Sequence, residues 1–151
     1  HRPATRRFDQ WALAELASLC RQRPGQLVGF HPEGTRNRSP DPYSFLPTQP
    51  GVGRLMFDAR PEVVPVFVAG LSDSFAELLR RRVGGGERIR IWFGPAIDYR
   101  PFCNRSATAG TYRELSEFVM GEIRNLGESD RSTSAAASFS KLATGSDTTR
   151  V

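Results

Sequence analysis

Residues 62 to 71, EVVPVFVAGL, set the strongest limit on what this chain can become. The run is apolar and rich in β-branched side chains, so it reads as a strand covered on both faces, the kind found in α/β layers. Helical patterns surround it. FDQWALAELASLCRQRPG brings Trp11, Leu13, Leu16, Leu19 and Cys20 near one face, with Asp9 as its cap and Pro24-Gly25 as its stop. GVGRLMFDAR has a helical period, opened by Gly51 and closed before Pro61. SDSFAELLRRRV reads as a helix capped by Ser72 or Asp73, followed by a glycine turn at 84 to 86. TYRELSEFVMGEIRNLG carries a capping box, Thr111 with Glu114, and ends on Gly127 as C-cap. Two more strands are expected: QLVGF, and RIRIWFG, whose Arg88 and Arg90 form a solvated face. This order of elements predicts an α/β fold with a mixed, largely parallel sheet and flanking helices. Beyond Gly127 the chain is rich in Ser, Thr and Ala, so a domain over 1–126 and a disordered tail over 127–151 are expected.

With 151 residues, 38% of them hydrophobic, one core is the natural outcome. The net charge of +5 comes from 20 Arg against one Lys, Lys141. Arg suits two-pronged contacts with phosphate, so the excess fits a phosphate-bearing partner or an anionic membrane face; Arg-for-Lys exchange across a whole genome explains surface arginines equally well. Cys20 and Cys103 stand far apart without metal-type spacing and read as reduced thiols. The apolar runs fall well short of the ~20 residues a membrane-spanning helix requires.

The QLVGF strand delivers the chain into HPEGTRNRSPDPYSF, the start of a proline-rich loop from 31 to 50. Ligands in α/β sheets gather at the carboxyl ends of strands, and long ordered loops are usually functional. Gly34 allows close backbone approach, Thr35 offers a hydroxyl and Arg36 a charged fork, which together with backbone N–H groups make an anion cradle. Glu33 fits such a cradle only if it binds a hydroxyl or fixes the Arg. The same residues also read as an ordinary polar turn with Glu33 and Arg36 as a surface pair.

HPEGTRN resembles the FPEGTRS block of the glycerolphosphate and lysophosphatidate acyltransferase family, and VVPVFVAGL resembles its later VPV block. FLPTQPGVGRLMFDARP between them is similar to the region where that family re-enters a helix after a glycine, here Gly51 or Gly53. The likeness runs over roughly residues 8 to 100. It departs at His31, where the family has an aromatic or aliphatic residue, and at Asn37, where it often has Ser. The resemblance implies acyl transfer from an acyl thioester, on coenzyme A or acyl carrier protein, to a glycerol-phosphate or lysophospholipid acceptor in phospholipid biosynthesis. It implies no further cofactor, no metal, and a peripheral place on the cytoplasmic face of a membrane. Residue by residue, it assigns Glu33 and Gly34 to the shape of the acceptor pocket, Arg36 to the acceptor phosphate and Thr35 to loop support or a hydrogen bond.

The family's general base is a His in a His-x-x-x-x-Asp string. Neither His1, followed by Arg6, nor His31, followed by Arg36, begins one. The base is therefore expected upstream of His1, with either Arg2 or an arginine before His1 matching the arginine of the family's second block, and these residues alone are expected to be inactive. His31 has no acid at a spacing that would orient it. His31-Pro32-Glu33 matches half of a zinc deaminase signature, but Cys103 lacks the second Cys that signature needs. A different class stays open: a non-catalytic domain that binds anionic lipid or nucleic acid through the loop, with Arg80, Arg81, Arg82, Arg88 and Arg90 as a stripe and Trp92 or Phe93 for stacking. Asn37-Arg38-Ser39 and Asn104-Arg105-Ser106 are too short a pattern to argue for glycosylation.

Overall fold

The computed structural model describes residues 3–22, 25–71 and 89–144, with 3–8 and 137–144 described by backbone. The helix expected from Ser72, the glycine turn at 84 to 86, and Arg2, Arg80, Arg81, Arg82 and Arg88 lie outside these residues.

Helix α1 spans Pro3–Gln22, so Asp9 sits inside it and does not cap it. Ala17 is buried and Leu13, Leu16 and Cys20 are half-buried, while Trp11 and Leu19 of the expected apolar face are exposed. Helix α2, Gly51–Ala59, begins and ends where the sequence pattern put it. Arg60, at φ 53°, closes it by donating its backbone N–H to the Met56 carbonyl at 2.9 Å, and Pro61 prevents continuation. Arg21 of α1 donates to the Asp58 carbonyl at 3.0 Å, satisfying an orphan acceptor in the last turn of α2.

Strand β1 is Val66–Ala69 and strand β2 is Arg90–Phe93; they pair antiparallel, Val66 opposite Phe93 and Ala69 opposite Arg90. Among the described residues this is the sheet, and residues 26–30, expected as a strand, have no ladder pairing. β1 is covered on one face: Phe67 and Ala69 are buried, whereas Val68 is 37% exposed. In β2 the expected wet and dry faces are exchanged. Ile91 and Phe93 are exposed, and Arg90 and Trp92 turn inward. The register explains this, because Trp92 opposite Phe67 and Arg90 opposite Ala69 lie on the face that meets a buried carboxylate.

After the short helix α3, Arg100–Cys103, comes α4, Ala109–Thr144. Its cap is Thr108, three residues before the expected Thr111: Thr108 Oγ1 accepts the Thr111 N–H at 3.2 Å. Glu114 is not part of a capping box; it pairs with Arg105 at 2.6 Å. The helix does not stop at Gly127 either. The stripe of buried Leu115, Val119 and Gly127 with half-buried Ile123 continues at helical spacing to Asp130, so the boundary expected between 126 and 127 falls inside one helix. At Gly127 an added Cβ would sit 3.3 Å from the Phe67 ring and 3.5 Å from Phe45, so the glycine serves close packing and not chain termination.

The core joins Val52 and Met56 of α2 to Leu115 and Val119 of α4 and to Tyr99, with Phe30, Val63, Ile97 and Phe118 around them. The α2–α4 crossing is tight at Gly53, where an added Cβ would lie 2.0 Å from the Tyr112 carbonyl oxygen; the Gly53 N–H donates to Ser116 Oγ at 3.0 Å.

Candidate functional site

The sequence-predicted residues Glu33, Gly34, Thr35 and Arg36 occupy the near limb of the 31–50 loop, which doubles back so that its far limb, 43 to 49, runs beside them. A turn opens it: the Gly34 N–H donates to the His31 carbonyl at 3.0 Å, and Gly34 takes φ +68°. That left-handed backbone favours glycine, and an added Cβ would also meet Gln49 Cγ at 2.7 Å. The limbs are tied by the Gln49 N–H to the Pro32 carbonyl at 2.8 Å, and by the Asn37 side-chain amide to the Ser44 carbonyl. Asn37 Oδ1 in turn accepts from the Ser39 N–H at 2.9 Å, an Asx turn that occupies this side chain locally.

Glu33, half-buried, supplies the third tie: its carboxylate accepts the Leu46 N–H at 2.8 Å. The acid that sits awkwardly in an anion cradle thus bonds the loop's own backbone. Thr35 and Arg36 are exposed beyond the turn, and His31 is exposed at its start. The structure brings the four motif residues into one turn, with backbone and side chains of both limbs around it.

The far limb is fastened to the rest of the fold. Tyr43 stacks on Phe67 with ring centroids 5.9 Å apart and planes 14° apart, and Phe45 tilts against the same ring at 6.1 Å. Thr48 bonds the Glu117 carboxylate of α4. The Tyr43 hydroxyl donates to Asp130 Oδ2 at 2.9 Å. Asp130 also accepts from Arg90 Nε at 2.8 Å, from a second Arg90 nitrogen at 3.1 Å and from Trp92 Nε1 at 2.8 Å. The Arg90 guanidinium above all, helped by Trp92 and Tyr43, holds the Asp130 carboxyl below its ordinary range against the opposing effect of burial. Burial, together with the neighbouring Asp130 charge, pushes the Tyr43 hydroxyl up. Asp130 is invisible to sequence reasoning because an acid between Glu128 and Arg131 in a Ser-rich stretch looks solvated. The signal that could have found it is the apolar stripe of α4, which leads to it at helical spacing.

Arg90 therefore lies in an ion pair and not on an exposed basic stripe, and Trp92 is half-buried with its N–H engaged. Immediately after Gln49 lies an open cleft of about 290 Å³ lined by Leu13, Pro50, Gly51, Arg54, Ala109 and Tyr112. It is mostly apolar, and Arg54 at its rim pairs with Asp58 at 3.4 Å. Among the described residues no cluster of His, Cys, Asp and Glu could hold a metal ion, Cys20 and Cys103 are free, and no helix is long and apolar enough to cross a membrane.

Residues 1–69 match the acyltransferase family model. The match takes in α1, the motif turn, both limbs of the loop, α2 and β1, and it supports an acyltransferase, hence acyl transfer in general. It ends before β2 and α4, so Arg90, Trp92 and Asp130 lie outside it. No curated protein and no solved structure matches the chain significantly.

Proposed function

We propose that this domain serves acyl transfer from an acyl thioester, carried by coenzyme A or acyl carrier protein, to the hydroxyl of a glycerol-phosphate or lysophospholipid acceptor, and that the Glu33–Arg36 turn holds the acceptor. The observation that carries the proposal is the construction of the turn. Gly34 adopts a left-handed backbone, Glu33 is spent on the Leu46 N–H, and Thr35 and Arg36 project from the exposed side. Glu33 is directed to the loop's own backbone, and Arg36 carries the two-pronged guanidinium that suits a phosphate.

In this reading the reaction is a simple exchange. A general base takes the acceptor hydroxyl proton as the oxygen attacks the thioester carbonyl; the C–S bond breaks and the thiol leaves with that proton. The contribution of the residues present is position: holding the phosphate fixes the hydroxyl's distance from the base, which is worth several powers of ten in rate when geometry is good. A place at the cytoplasmic face of a membrane, and the larger parallel sheet expected from the order of elements, belong to the same proposal.

An acceptor panel tests it. The complete protein, given a labelled acyl thioester, should acylate glycerol 3-phosphate or lysophosphatidate and leave glycerol and monoacylglycerol almost untouched. Equal rates on acceptors with and without phosphate would sink the assignment of the turn. Binding of anionic vesicles with no acyl transfer at all would favour a non-catalytic lipid-binding domain.

A further inference from the structure

We infer that Asp130 is the positioning residue of the 31–50 loop: fixed from the sheet by Arg90 and Trp92, its carboxylate holds Tyr43 and through it sets the geometry of Glu33 to Arg36. For acceptor binding this rests on the reading above; for loop order it stands on the geometry alone.

The bonding capacity of the carboxylate excludes a more direct role. A carboxylate has about four acceptor positions, and here Oδ1 accepts from Arg90 Nε and Trp92 Nε1 while Oδ2 accepts from Arg90 and Tyr43. With the side chain 1% exposed, nothing is left to meet a ligand. Filling a core does not require such a group either, since an apolar residue of similar size avoids the desolvation cost of a buried charge. What the carboxylate adds is direction: four donor groups from three residues, Tyr43 of the loop and Arg90 and Trp92 of strand β2, converge on one helix position.

From Asp130 the constraint reaches the motif in two short steps. Tyr43 is pinned by its hydroxyl, by its stack on Phe67 and by Arg131, whose guanidinium carbon lies 5.4 Å from the ring centroid. Its neighbours then hold the near limb: the Ser44 carbonyl accepts from Asn37, and the Leu46 N–H donates to Glu33. Glu33 to Asn37 therefore hang from the far limb, and the far limb hangs from α4. A residue 61 positions beyond the end of the matched region thus belongs to the machinery that orients the motif (130 minus 69).

The test uses the full-length protein and two variants. Tyr43→Phe removes one hydroxyl and keeps the ring stack; Asp130→Asn keeps the shape and removes the charge. Hydrogen exchange at the Leu46 and Gln49 amides is read without substrate, and KM and kcat are then measured with glycerol 3-phosphate. Tyr43→Phe should speed exchange at Leu46 about tenfold while amides of α2 stay at the wild-type rate, and should raise the acceptor KM severalfold with kcat nearly unchanged. Asp130→Asn should act in the same direction, and the double variant should be little worse than Asp130→Asn alone, since both changes break one link. Wild-type exchange and KM in Tyr43→Phe overturn the inference, as do independent, multiplying effects in the double variant. Faster exchange with an unchanged KM overturns the link to the acceptor. A wild-type protein without acyl transfer removes the acyltransferase reading instead, and exchange then decides the positioning claim by itself.

Discussion

Glu33 holds the Leu46 N–H, one of three hydrogen-bonded ties between the limbs of the loop. Replacing Glu33 with Ala removes a charge-assisted bond at a half-buried place and is expected to lower stability by only about 1 kcal/mol, while loosening the turn and weakening acceptor binding more than the stability loss suggests. Glu33→Gln, which keeps an acceptor oxygen, should recover part of the binding; titration calorimetry with glycerol 3-phosphate reads the difference. Gly34→Ala meets two obstacles together, the φ of +68° and Gln49 Cγ at 2.7 Å from the new Cβ. Its expected cost is about 1–2 kcal/mol, seen as a lower urea midpoint. At this scale the sequence did not show what Glu33 does. Its partner is a backbone N–H 13 positions away, and residue types carry no record of which amide a carboxylate will meet.

At the scale of elements, the two faces of β2 and the length of α4 were the features least legible in the sequence. RIRIWFG alternates cleanly, but alternation fixes only that two faces differ; a buried Asp130 turned the Arg90 face inward. The Ser-rich composition after Gly127 pointed to disorder, whereas the helix runs on through it to Thr144 with Asp130 fully buried. Helix α2, by contrast, was readable because glycine, period and proline all agree there. The α2–α4 crossing yields a sharp expectation: Gly53→Ala would place its Cβ 2.0 Å from a backbone oxygen, which no side-chain rotation relieves. The helices must separate, and overpacking of this kind costs about 3 kcal/mol. Thermal unfolding should show it clearly, whereas Gly121→Ala, on α4 with open space around it, should be neutral or slightly stabilising.

For the whole molecule, two buried groups set the pH limits. Tyr99, in the core with its hydroxyl donated to the Pro61 carbonyl, is pushed up to about 12 from 10.0, chiefly by burial and then by nearby Cys103. Its folded value is raised, so its contribution is complete below pH 10 and is lost as pH rises toward 12. Asp130 is depressed, so its contribution is present above the ordinary carboxylate value and is lost as pH falls below it. Unfolding followed by circular dichroism should therefore show a stability plateau through neutral pH. The alkaline fall should shrink in Tyr99→Phe, with the part due to the raised Tyr43 hydroxyl remaining, and the acid fall should shrink in Asp130→Asn. The central claim, that the motif turn binds the phosphate of an acyl acceptor, is tested most directly by acyl transfer in the complete protein carrying Arg36→Ala. KM for glycerol 3-phosphate should rise at least tenfold, corresponding to a loss of about 1.4 kcal/mol or more, with the fold intact by circular dichroism. An unchanged KM in that variant would contradict the claim.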